Sequence, residues 1–152
     1  MQKYESYTKN EEFDAGNFAI AAEKYLEILK NNDIILAYDE NSILQLDFLF
    51  KATPFGEEDY FAFLMGSFFG KCLIEILNKQ WAFDTTQQRW VVSFSLKDGN
   101  ASMNVFKKIY ARMAEKDLDD SSESISAYYR YVQSLVENDF KLPSIKNKPS
   151  NP

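Results

Sequence analysis

Apolar residues at Phe18, Ala21, Ala22, Tyr25, Ile28 and Leu29 recur at the three-and-four spacing of a helix with one buried face, predicting a helix from about Asp14 to Lys30. Asn31, Asn32 and Asp33 supply turn chemistry after it, and Ile34 to Tyr38 reads as a short apolar, extended segment. Asp39 or Ser42 is placed to cap a second helix with the stripe Ile43, Leu46, Leu49 and Phe50, which must stop before Pro54. From Glu57 to Lys79 apolar residues occupy most of the circumference, the pattern of a helix at the centre of a core.

At Trp81 the period changes. Trp81 and Phe83 alternate, as do Trp90, Val92, Phe94 and Leu96 beyond the polar stretch Asp84 to Arg89, which predicts a two-stranded hairpin with one face covered by helices. Asp98 and Gly99 are expected to end its second strand, and Asn100 or Ser102 to cap a helix carrying Val105, Phe106, Ile109, Tyr110 and Met113. The acidic stretch Glu115 to Glu123 reads as a solvated loop, with Asp120, Ser122 or Glu123 near the start of a last helix whose stripe is Ile125, Tyr128, Tyr129, Val132, Leu135 and Val136. Lys141 to Pro152 holds three of the four prolines and three lysines and is expected to be a disordered tail. The fold class that follows is α+β: one mainly helical domain over residues 1–140, with a central helix and a β-hairpin.

Composition agrees with a single core, since 152 residues at 45% hydrophobic content suffice for one ordinary domain. The net charge of -6 opposes attraction to phosphate backbones and anionic lipid, so neither nucleic acid nor a membrane is an expected partner. The single cysteine, Cys72, fits a reducing, cytoplasmic setting, and no apolar leader precedes the first helix.

The chain has no histidine, which removes the commonest neutral-pH proton carrier and metal ligand, and one cysteine cannot build a zinc or iron-sulfur site. Asp117 and Asp119 suggest a calcium loop, but the positions where such a loop needs glycine and a bidentate glutamate hold Ser122 and Tyr128. Gly70-Lys71-Cys72 lacks the surrounding pattern of a phosphate-binding loop. No catalytic, cofactor-binding or metal-binding residue is therefore assigned, and no cofactor is expected.

Gly66 and Gly70 lie four apart on the most apolar helix, and two helical glycines on one face imply close approach by another element of the same chain. Of the cluster Tyr128, Tyr129, Arg130 and Tyr131, the first two tyrosines are expected in the core and Tyr131 at the surface.

Two resemblances accompany these residues. Gly16-Asn17-Phe18, Ala21 or Ala22, Tyr25 and Ile28-Leu29 look like one helix of a tetratricopeptide repeat, though a single copy lacks the stacked neighbours that such repeats need. Tyr38-Asp39-Glu40-Asn41-Ser42, Leu46-Asp47, Gly66-Ser67-Phe68-Phe69-Gly70-Lys71 and Trp81 resemble a group of small bacterial proteins of no assigned activity. These carry a Ser and a Leu-Asp pair on one helix, a Gly-x-Tyr-x-Gly-Glu run on the next, and a Trp opening a hairpin. Here Phe68 or Phe69 stands for the tyrosine and Lys71 for the glutamate, so the resemblance implies an architecture and no chemistry.

The expected function is non-catalytic binding of another protein, as an immunity-type or adaptor protein. Its contact surface is expected to include Asp117, Asp119, Asp120, Glu123 and Tyr131. Residues 1–140 carry 23 acids against 14 bases, a net of -9, which would steer a basic partner. A subunit of a bacterial assembly, with homo-oligomer formation, and a carboxylate-dependent enzyme are the alternatives.

Overall fold

In the computed structural model, which describes residues 2–96 and 99–141, the chain forms an α+β domain of six α-helices and one three-stranded sheet. The helices are α1 (Lys3–Thr8), α2 (Gly16–Lys30), α3 (Glu40–Gln45), α4 (Glu58–Leu77), α5 (Val105–Ala114) and α6 (Ile125–Lys141). Strands β1 (Gln80–Asp84), β2 (Arg89–Leu96) and β3 (Gly99–Met103) follow α4 in an antiparallel meander. The tail expected from Lys141 onward lies outside the described residues except for Lys141 itself, which ends α6.

Helix α4 is the axis of the core. By length and composition it could cross a membrane, but 61% of its most apolar window is buried inside the domain, where α2, α5 and α1 pack around it. Its two glycines explain how close that packing is. A Cβ at Gly66 would lie 2.5 Å from Phe106 Cδ1 of α5, and one at Gly70 would lie 2.2 Å from Trp81 Cη2 of β1. Trp81 and Phe106 stack on each other with centroids 5.3 Å apart and planes 17° apart. The glycines are thus the floor on which two aromatic rings rest, and the close approach inferred from their spacing is made by elements of the same chain.

Turn chemistry ends α2 as anticipated, and it also ends α4, at Asn78, before the expected Lys79. Asp33 (φ 65°) and Asn78 (φ 55°) adopt the left-handed geometry that short polar side chains tolerate, after α2 and α4 respectively. Asp39 is the cap of α3, its carboxylate accepting the Ser42 N–H at 2.9 Å.

Four elements differ from expectation. Helix α1 has no counterpart in the sequence reading, because six residues are too few to display a period. It is held from outside: the Asp59 carboxylate of α4 accepts the Tyr4 and Glu5 N–H groups at 2.8 and 2.9 Å. Ile34 to Tyr38 pairs with no strand and crosses as irregular chain, burying Leu36 while Ile35 stays exposed. The second helix buries Ile43, Leu46 and Phe50 as expected, but gives way after Gln45 to two 3₁₀ turns, Leu46–Phe48 and Phe50–Ala52, closed by bonds such as Leu49 N–H to Leu46 C=O at 2.9 Å. Lastly, Asn100 and Ser102 do not cap α5. They belong to β3, which pairs along β2 with Phe94 opposite Ala101 and Val92 opposite Met103. Small and polar residues carry little β preference, so this strand exists because β2 offers an edge and Met103 gains a fully buried site.

Candidate functional site

The acidic loop Glu115 to Glu123 packs against the two 3₁₀ turns, and Asp47 is the centre of that contact. Its carboxylate accepts N–H bonds from Ile125 at 2.8 Å and Ser126 at 3.0 Å, plus the Ser124 hydroxyl at 3.1 Å. Two free N–H groups at the start of α6 are therefore capped from another part of the chain, and a third, that of Ala127, is capped locally by the Ser124 hydroxyl at 3.1 Å. Burial works against the charge on Asp47, but the bonds from Ser126, Ile125 and Ser124 outweigh it and hold the carboxyl below its usual range.

Beside it lies Arg112 of α5, a charged side chain with only 5% of its surface exposed. Its Nε is 3.6 Å from Asp47 Oδ1, its Nη1 donates to the Glu115 carbonyl at 2.8 Å, and its guanidinium lies 4.9 Å from the Phe50 ring centroid. A buried arginine survives only when paired and bonded in this way.

Around this pair three lysines are also matched. Lys51 bonds Asp119, Lys108 meets Glu123 at 3.0 Å, and Lys116 meets Glu58 at 2.7 Å. Asp119 is held below the usual carboxylate range by the hydrogen bond and charge of Lys51. The result is an open cleft of about 410 Å³ between the 3₁₀ turns and the loop, walled by Phe48 and Leu118 as well as by the charged pairs. On the other side of the turns lies a smaller apolar groove of about 230 Å³, lined by Tyr25, Ile28, Leu49, Pro54 and Phe61 among others.

Apolar exposure along this ridge is high. Phe55 is 97% exposed, Phe48 81% and Leu118 50%. Isolated exposed apolar residues are ordinary; Phe48 and Leu118 stand out because both line the cleft, whereas Phe55, in the turn before α4, is not among its lining residues.

Of the residues singled out from sequence, Asp117, Asp119 and Asp120 are exposed on the loop and Glu123 is half-buried against Lys108. Tyr131 is 63% exposed on α6, but it is not among the residues lining the cleft. Tyr129 is buried, its hydroxyl donating to Glu40 at 2.9 Å, and Tyr128 is half-buried. The sequence reading missed Phe48, Phe55, Leu118, Lys51 and Arg112. Phe55, between a proline and a glycine, carried a usable signal: an aromatic ring in a turn has no stripe to join.

Asp47 and Asp119 are both stabilised as anions, the reverse of what a general acid near neutrality requires. Among the described residues no group of three or more Cys, Asp or Glu is placed to hold a metal ion. The residues that carry the bacterial resemblance have architectural roles here: Asp47 caps α6, Gly66 and Gly70 admit aromatic rings, and Trp81 opens β1 onto α4. No protein family, curated protein or solved structure matches the chain.

Proposed function

We propose that this chain is a non-catalytic binding protein, of adaptor or immunity type, that takes a basic protein partner on the face built from the 3₁₀ ridge and the acidic loop. The observation that carries this reading is the exposure of Phe48 in the wall of a cleft shared with a loop rich in carboxylates, with a second exposed phenylalanine, Phe55, seven positions further along the chain. Burying an exposed phenylalanine under a partner is worth about 1.5–3 kcal/mol, so two of them supply anchors of the kind that dominate protein interfaces. The acids contribute steering: five of the nine residues from Glu115 to Glu123 are carboxylates and one is a lysine. The overall acidity and the single buried thiol fit action in the cytoplasm, on protein and not on nucleic acid or lipid.

The test is photo-crosslinking in the native cell from a benzoylphenylalanine placed at position 55, with Phe48→Ser as the comparison. A discrete adduct with one basic protein, lost in Phe48→Ser, is the expected result. Adducts between copies of this chain would instead favour the assembly-subunit reading, and no adduct at all, with full retention of fold, would overturn the proposal.

A further inference from the structure

We propose that the apolar groove between α2 and the second 3₁₀ turn is a site for a small uncharged molecule of one or two rings, whose oxygen accepts from the Tyr25 and Thr53 hydroxyls. This site is separate from the protein-binding face and does not rest on it. Tyr25 carries the argument. Burial pushes up the hydroxyls of five tyrosines, and four of the five are partnered. Tyr38 donates to Glu23, Tyr110 to Asp59 at 2.8 Å and Tyr129 to Glu40 at 2.9 Å, while Tyr128 accepts the Asn104 N–H at 3.0 Å. Tyr25, only 2% exposed and lining the groove, has no hydrogen-bond partner among the described residues. Its oxygen is not among the fully enclosed ones either, so it keeps some access to open space.

Thr53 repeats the pattern on the wall contributed by the turn. Its N–H donates to the Phe50 carbonyl at 3.1 Å and its carbonyl accepts from Lys116 at 3.5 Å. Its hydroxyl, on a residue 6% exposed, has no partner. Valine has the same shape with no hydroxyl to leave unpaired, so folding alone gives this oxygen no use. Buried polar groups are paired as a rule, and here two unpaired hydroxyls border one groove.

The lining sets the class of molecule. None of its ten residues is charged, so an ion would give up its hydration without meeting a counter-charge. Ile28, Leu49 and Phe61 offer apolar walls to a hydrocarbon body. An apolar cavity of about 150 Å³ takes a benzene ring. The groove, at about 230 Å³, therefore has room for one or two rings. With no carboxylate, amine or thiol in the lining, the molecule is held and not transformed.

Acetophenone, benzyl alcohol and 2-naphthol, titrated into the ¹⁵N-labelled full chain, test this, with benzoate and toluene as charged and oxygen-free controls. At least one of the three should shift the amide resonances of Ile28 to Asn32 and of Leu49 to Thr53 saturably, with toluene weaker and benzoate silent. Tyr25→Phe and Thr53→Val, which remove only unpaired oxygens, should melt no lower than the parent yet bind that probe about five-fold more weakly. Saturable shifts with none of the three, shifts that map away from the groove, or benzoate binding as well as the neutral probes would overturn the proposal. So would unchanged affinity in both variants, which would leave water as the only partner of the two hydroxyls.

Discussion

The Asp47 carboxylate, on a 3₁₀ turn, accepts the Ile125 N–H at 2.8 Å and so caps a helix 78 residues further along the chain. The same oxygen lies 3.6 Å from Arg112 Nε, so one side chain joins the ridge, α5 and α6. Replacing Asp47 with Ala removes the cap and leaves a buried guanidinium short of its counter-charge. A loss of about 2–4 kcal/mol in urea unfolding is expected, with Asp47→Asn intermediate because it keeps one acceptor. Equal stability of Asp47→Ala and the parent chain would contradict this role.

The pH dependence has a definite sign. The native carboxyl of Asp47 is lowered relative to the unfolded chain, so its contribution is fully present above the ordinary aspartate range and is lost as the pH falls through the lowered value. Unfolding free energy measured from neutrality into acid should therefore fall less steeply in Asp47→Asn than in the parent, the two curves converging at the acid end. At the alkaline end the sign reverses for Tyr110, whose hydroxyl is pushed up by burial and by its hydrogen bond to Asp59. Its stabilisation holds below the ordinary tyrosine range and is lost as the pH rises beyond it, a loss that Tyr110→Phe should lessen.

Gly66 and Gly70 should resist even the smallest side chain. Alanine gains about 1 kcal/mol in helix propensity, but its methyl would have to displace Phe106 or Trp81 from a stacked pair, costing about 1–3 kcal/mol, and leucine more. Lower melting temperatures are expected for Gly66→Leu and Gly70→Leu. The loss at Gly70 should shrink in a Trp81→Leu background, and a double-mutant cycle with no coupling would show that the ring is not the obstacle.

Cys72 is fully buried in α4, and burial pushes its thiol up. Reaction with Ellman's reagent should be slow in the native state and track unfolding as urea is added. Fast labelling without urea would mean that α4 opens locally.

Phe48 and Phe55 make the opposite prediction to the core. Because each is largely exposed, Phe48→Ser and Phe55→Ser should leave the unfolding free energy within about 0.5 kcal/mol of the parent while weakening partner binding. A large stability loss in either variant would show that the ring has a folding role.

The elements long enough to repeat their own pattern were legible in the sequence. α2, α4, α5 and α6 bury most of the stripes that their spacing marks, Ile76 and Leu135 being exposed exceptions, and β1 and β2 pair where the period changes at Trp81, though adjacent Val91 and Val92 are both buried. The acidic loop and the outward placing of Tyr131 were legible too, because charge and helical phase are local properties. α1 and β3 were decided by tertiary structure: six residues held by Asp59, and four polar or small residues plus Met103 recruited by the edge of β2, have no periodic signature. The candidate site belongs to this second class. Phe48 and Leu118 are 70 positions apart, and the Asp47 cap on α6, Arg112 buried beneath it and the Lys51–Asp119 bond lay one segment against the other. A pattern along the chain records which face of an element is apolar; which faces meet depends on partners that local spacing does not encode.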